Sequence, residues 1–172
     1  MTPEEFEAIY PAVIGWIRQT LLSHETSAQT VAWMGFARLP FYFGRDLLKA
    51  TKVVAVDQVP VPPLSSMGLR RFEEFERGDY DGITYLNTFF VKHTRARDEE
   101  LYFHELIHVI QWRLLGPERF LALYAEGLEA FGYHNSPLEQ MAYNAQNMFS
   151  RSTQIFDAEK LVVLSLPKAP SI

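Results

Sequence analysis

His104-Glu105-Leu106-Ile107-His108 is the segment of this chain whose residue types and spacing point most directly at chemistry. Four residues is a little over one helical turn, so both imidazoles leave the same face of a helix. Two neutral ring nitrogens held in that way bind one Zn²⁺. Glu105 is offset from the pair and reaches the attacking water rather than the metal. There it acts as general base and then passes the proton to a leaving amine. The competing reading is a helix with two buried, hydrogen-bonded histidines and a solvated Glu105.

A stable open zinc site needs a third protein ligand. The downstream donors are Glu118, Glu126, Glu129, His134, Glu139, Asp157 and Glu159. Glu118 is close in sequence for folding back. Spacing alone leaves Glu126, Glu129, His134 and Glu139 open. Glu139 also has a structural reading, because Ser136-Pro137-Leu138-Glu139 fits a capping box. In that box the carboxylate folds back onto the cap amide and is lost to a metal.

The elements around these residues are legible in outline. Pro3 to about Ser23 has helical periodicity through Phe6, Ile9, Tyr10, Val13, Ile14, Ile17 and Leu21, with Thr2 as cap and Pro11 as a point of kinking or splitting. Residues 24–50 have no clear pattern. Lys52–Val59 reads as a strand ended by prolines, Ser66–Arg77 as helical, and Ile83–Lys92 as a second strand after the turn cluster at 78–82. A helix from about Asp98 to Leu115 carries the histidines and stops at Gly116-Pro117. Further helices run from Pro117 to about Phe131 and from Pro137 to about Arg151. Lys160–Leu166 reads as a late strand or a packed tail. Helices and strands are mixed without βαβ repetition, which makes the class α+β, with residues 1–172 as a single domain.

Composition bounds the function. The 172 residues are 48% hydrophobic and 22% charged, which is globular composition and enough for a core. With net charge −5 and scattered basic residues, a phosphate-tracking surface is not expected, so no nucleic acid is expected as partner. There is no cysteine, so a metal must be held by His and carboxylates. The acidic, amphipathic start is not a secretory signal, and no apolar run spans a bilayer. No membrane association is expected. The expected location is cytoplasmic, although export by another route fits equally well.

Three segments together carry a resemblance. They are Gly82-Ile-Thr with Phe89-Phe-Val, His104-Glu-Leu-Ile-His-Val-Ile-Gln111, and Asn135-x-Pro-Leu-Glu-x-x-Ala-Tyr143. The set resembles a group of small bacterial zincin-like metallopeptidases, minimal relatives of the thermolysin-like gluzincins, over roughly a third of the chain. The resemblance implies a zincin-like fold, in which a short β-sheet packs on the active-site helix and a mainly helical C-terminal half follows. It implies His104, His108 and Glu139 as zinc ligands and Glu105 as catalytic base. It implies a peptide or protein substrate, which adds as an extended chain along the strand at Ile83–Lys92. Thermolysin-like enzymes place an Asp four residues after the third ligand to support a histidine. Here that position is Tyr143, so the support must differ.

Tyr133, His134 and Tyr143 lie near the proposed third ligand and are candidate donors to a developing oxyanion, with aromatic packing as the simpler reading. Gln111 reads as a solvated or core glutamine, with orientation of a ligand as the alternative. A catalytically inactive zinc-binding structural or interaction domain is the second functional reading, with Lys160–Leu166 as a segment that blocks the cleft. Hydrolysis of a small non-peptide amide or ester is the third. The same ligand set also suits Mn²⁺ or Fe²⁺, but Glu105 at this spacing favours zinc and hydrolysis.

Overall fold

The structure, a computed structural model, describes residues 1–166. The architecture is α+β, a small mixed sheet followed by a helical C-terminal half. Helix α1 (Pro3–Ser23) begins with a full capping box. Glu5 N–H donates to Thr2 Oγ1 (3.2 Å) and Thr2 N–H donates to Glu5 Oε2 (2.9 Å). The helix runs on through Pro11 without being split. The unpatterned stretch after it forms 3₁₀ turns at 25–27, 31–33 and 39–41, strand β1 (Gln29–Thr30) and helix α2 (Arg45–Ala50).

Strand β2 (Lys52–Val56) ends three residues earlier than its β-branched run suggests. Only a 3₁₀ turn at 70–72 and the single-turn α3 (Glu73–Glu76) form where a longer helix was expected. The segment read as one strand is a hairpin, β3 (Gly82–Tyr85) and β4 (Thr88–Lys92). Its two-residue turn is Leu86-Asn87, and Leu86 takes φ 58°. Such turns favour Asn-Gly or Asp-Gly, so a leucine in the left-handed region leaves no recognisable turn signal.

The sheet order is β1-β2-β4-β3, with β2 parallel to β4 and the other pairs antiparallel. Val53, Phe89 and Val91 face one core, while Val54 and Phe90 face the other. Burial on both faces explains why Lys52–Val56 and Thr88–Lys92 read as apolar runs rather than as alternation. The edge position falls to β3, which lies against the helix that carries the histidines.

That helix, α4 (Glu99–Phe131), starts at Asp98, whose carboxylate accepts from Glu100 N–H (3.0 Å) and Leu101 N–H (3.1 Å). Gly116 breaks it into two arms at φ 73° and ψ 164°, where the sequence places the stop. Every residue from Leu101 to Trp112 is buried, so the first arm is a central helix enclosed on all sides. Helix α5 (Pro137–Arg151) packs along α4. Residues 160–165 belong to helix α6 (Ala158–Ser165), not to a strand. Asp157 caps it at Lys160 N–H (3.0 Å), and Ala158 and Val162 bury into the first core. No helix among the described residues is long and apolar enough to cross a membrane.

The break in α4 rests on a backbone conformation that is essentially restricted to glycine. Gly116→Ala should lower unfolding stability in urea by about 1–3 kcal/mol. Gly15→Ala, at an exposed interior position of α1 with open space around it, should instead raise stability by up to about 1 kcal/mol. Equal effects at the two positions would mean that the two arms of α4 do not depend on Gly116.

Candidate metal centre

The first arm of α4 delivers His104 and His108 from one face, and the first turn of α5 delivers Glu139 opposite them. His104 Nε2 lies 3.1 Å from His108 Nε2 and 3.3 Å from Glu139 Oε2. His108 Nε2 lies 3.3 Å from Glu139 Oε1. Among the described residues these three form a buried group whose donor atoms all fall within 4.8 Å of one another. Two imidazole nitrogens and a carboxylate oxygen converging on one point fit a divalent metal cation.

The capping reading of Glu139 fails. Ser136 makes no side-chain cap bond, and its buried hydroxyl finds no hydrogen-bond partner. Glu139 turns instead toward the imidazoles, which satisfy the carboxylate that the cap would have used. Glu129 pairs with the N-terminal ammonium and with Arg71 (3.2 Å), on a surface away from the histidines. Glu126 and His134 are exposed.

The support of the ligands differs from an Asp–His pair. His108 Nδ1 meets Gln111 Oε1 at 2.8 Å, and Gln111 Nε2 donates to Leu138 O at 3.0 Å. The second bond fixes the amide orientation, so Oε1 accepts from His108 Nδ1–H and leaves Nε2 as the ligating atom. His104 Nδ1 faces Gln146 Oε1 at 3.1 Å. The Tyr143 ring packs against His104 with centroids 4.6 Å apart. Tyr124, from the second arm of α4, donates to Glu139 Oε1 at 2.7 Å.

Glu105 does not belong to the ligand group. Its Oε2 accepts from Thr84 Oγ1 at 2.6 Å, on edge strand β3. Its Oε1 lies where a side chain at Gly82 would be, since a Cβ there would stand 2.4 Å away. Gly82 is therefore a spatial requirement of Glu105. Burial raises the Glu105 pKa above the ordinary carboxylate range, against the pull of His104, His108 and Thr84.

Burial also opposes charging of Glu139 and of His108, but their mutual attraction wins. The Glu139 carboxyl is held well below its usual range, with His108 as the largest favourable influence. His108 is pushed up to about 9 by the Glu139 carboxylate. The Tyr133 phenol is driven well above its ordinary value by burial and by the charge of Glu139, so it remains a donor.

Of the three candidate oxyanion donors, Tyr133 lines the same cavity as Glu105, His108 and Glu139. Tyr143 meets His104 through its ring, and its hydroxyl points to His134 Nδ1 at 3.5 Å. His134 is exposed and touches the rings of Tyr133 and Tyr143 rather than the centre itself. Sequence reasoning gave no site role to Gly82, Thr84, Tyr124 or Gln146, and for Gln111 it favoured a solvated or core glutamine over orientation of a ligand, the alternative that the His108 contact supports. Gln146 follows Glu139 by two helical turns and Gln111 follows His108 by one, so both share a face with a ligand. Nothing in the sequence marks Tyr124. Compared with family models, curated proteins and solved structures, the chain matches none.

Protein purified without added metal should carry about one zinc per chain, and Glu139→Ala should abolish or greatly weaken it. His108 holds its proton up to about 9 when no cation is present, so binding at neutral pH must expel it. Calorimetric titration in buffers of different ionisation enthalpy should show about one proton released per zinc, with affinity falling as pH falls. A pH-independent affinity would remove His108 from the ligand set.

Proposed function

We propose that this chain is a zinc-dependent metallopeptidase of minimal gluzincin type, with a zincin-like fold. His104, His108 and Glu139 would hold the ion, and Glu105 would be the catalytic base. The observation that carries the reading is the placement of Glu105. Its carboxylate stands beside the three-residue group, outside it, and lines the same cavity as His108 and Glu139. Three protein ligands among the described residues leave a coordination position for water or substrate, as hydrolytic zinc sites do and closed structural sites do not.

When bound, zinc supplies Lewis acidity, polarising a carbonyl oxygen and acidifying water. Glu105 takes a proton from the attacking water and delivers it to the leaving nitrogen. Its raised pKa brings it closer to the working pH, where a base is also a competent acid. Tyr133, still protonated and lining the same cavity, would donate to the oxygen on which charge develops. Thr84 and the empty space at Gly82 fix the carboxylate.

The inactive-module reading draws nothing from α6, the segment expected to block the cleft. Val162 buries into the first core, Leu166 at the end of the expected segment packs against both cores, and no residue from 160 to 166 lines the cavity beside Glu105.

Glu105→Gln should stay folded and zinc-loaded and lose about 10²–10⁴-fold in kcat on a peptide or amide substrate. A folded, loaded variant as active as the wild type would end the hydrolase reading. Thr84 donates to the ionised form of Glu105, so Thr84→Val should raise its pKa. Glu105 works deprotonated, and the acid limb of kcat/KM should therefore move to higher pH in that variant. An unmoved limb would assign the limb to another group.

A further inference from the structure

The second core is hollow. Helix α1, residues 62–72, strand β3 and both arms of α4 line a half-open cavity whose wall reaches Glu105, His108 and Glu139. Its lining on α1 runs from Phe6 to Ile17, about 16 Å of helix axis. The lining on the second arm of α4 runs from Phe120 to Leu128, about 12 Å. The centres of water-sized atoms have about 90 Å³ within it. Averaged over the α1 lining, that volume corresponds to a width of ~5–6 Å once an atom's own radius of ~1.4 Å is added. A single methylene chain is ~4 Å thick at contact distance and fits that width, whereas one amino-acid side chain is too short to reach along the whole lining.

Polarity is segregated along the wall. The ionisable carboxylates and the imidazole lie together at the metal centre. Phe6, Ile9, Val13, Leu64, Leu69 and Leu121 supply apolar surface elsewhere. The edge of β3 is poorly suited to an extended peptide here, because Trp112 Nε1 already donates to Thr84 O at 3.1 Å.

We propose that the cavity takes the unbranched hydrocarbon chain of an N-acyl amide and presents its carbonyl to the metal centre. The binding part stands on the cavity alone, and the hydrolysis rests on the metallopeptidase reading above. In that step water adds its oxygen to the carbonyl carbon and the C–N bond breaks. Glu105 carries the water's proton to the leaving nitrogen, giving a fatty carboxylate and a free amine. The ~16 Å of α1 that lines the cavity matches about a dozen methylenes, at ~1.25 Å each from a zigzag of ~1.5 Å bonds.

The test has two arms. In the first, linear fatty acids from hexanoate to hexadecanoate are titrated into metal-free and zinc-loaded protein. Affinity should rise about three- to fourfold per methylene and level off near dodecanoate. Val13→Phe, at the middle of the α1 lining, should bring the plateau to shorter chains while zinc binding is unchanged. Leu69→Phe, on the facing wall, serves if the first variant does not fold. In the second arm, N-acylglycines of the same chain lengths are offered to the zinc-loaded protein, beside unacylated peptides. Chain-length-dependent binding with kcat/KM following it supports the whole proposal. Chain-length-dependent binding without hydrolysis of any substrate keeps the cavity assignment and overturns the hydrolase reading. Hydrolysis of peptides with no dependence on chain length in either arm overturns the cavity assignment and leaves the hydrolase standing.

Discussion

Burying ionisable groups in the middle of a helix is the constraint on which the rest depends. His104, Glu105 and His108 are each at most 5% exposed, and Glu139 facing them is 2% exposed. Two carboxylates in one apolar interior are strongly unfavourable unless opposite charge is supplied. Without a cation, the chain supplies it partly from His108, whose proton Glu139 retains, while burial drives Glu105 toward its neutral form. A divalent cation with two neutral imidazoles and two carboxylates sums to zero. The electrostatics of the site and its metal chemistry thus ask for the same occupant.

The surrounding elements follow from that requirement. The first arm of α4 must be enclosed to exclude water, so the sheet covers one side and α5 another. The groups that finish the hydrogen bonds come from four directions: Gln111 from the same arm, Gln146 from α5, Thr84 from β3 and Tyr124 from beyond the Gly116 break. The break is what brings Tyr124 back toward Glu139. A straight α4 would carry it away from the ligands, at about 1.5 Å per residue along the axis. Gly82 has the complementary role of being absent, since any side chain there would take the space of a Glu105 oxygen.

How much of this was legible depended on whether the signal was local. The histidine spacing, the Asp98 cap and the Gly116-Pro117 stop are all local, and the helix they describe is present. The hairpin at Leu86-Asn87 was hidden because its turn residues carry no turn chemistry, and α6 because a short apolar run does not separate strand from helix. Glu139 was the instructive case. The local rule at Ser136 favoured a cap, and a tertiary contact overrode it, leaving the Ser136 hydroxyl without a partner. Tyr124 and Thr84 act only through contacts distant in sequence, 15 and 21 residues from their partners, and no periodicity points to them.

The two cores differ in how they are filled, and the difference lies in α1. Around the first core, Phe103, Phe149 and Tyr42 interlock, with the Phe103–Phe149 rings stacked at 4.4 Å. In the second, Val13, Ile14 and Ile17 are buried, but Phe6, Ile9 and Tyr10 are only half-buried and border the cavity. The N-terminal half of α1 is secured by the half-buried packing of Met1, Ile9 and Tyr10 on the second core, by its capping box and by the ion pairs of Glu5 with Arg71 and of Met1 with Glu129. Exposed ion pairs hold an element weakly and are screened by salt, whereas close packing holds it strongly. The wall with the loosest packing is thus the wall of the cavity that adjoins Glu105, His108 and Glu139. A helix that contributed only to stability would have closed onto α4 there, since a void forfeits dispersion contacts on both of its sides.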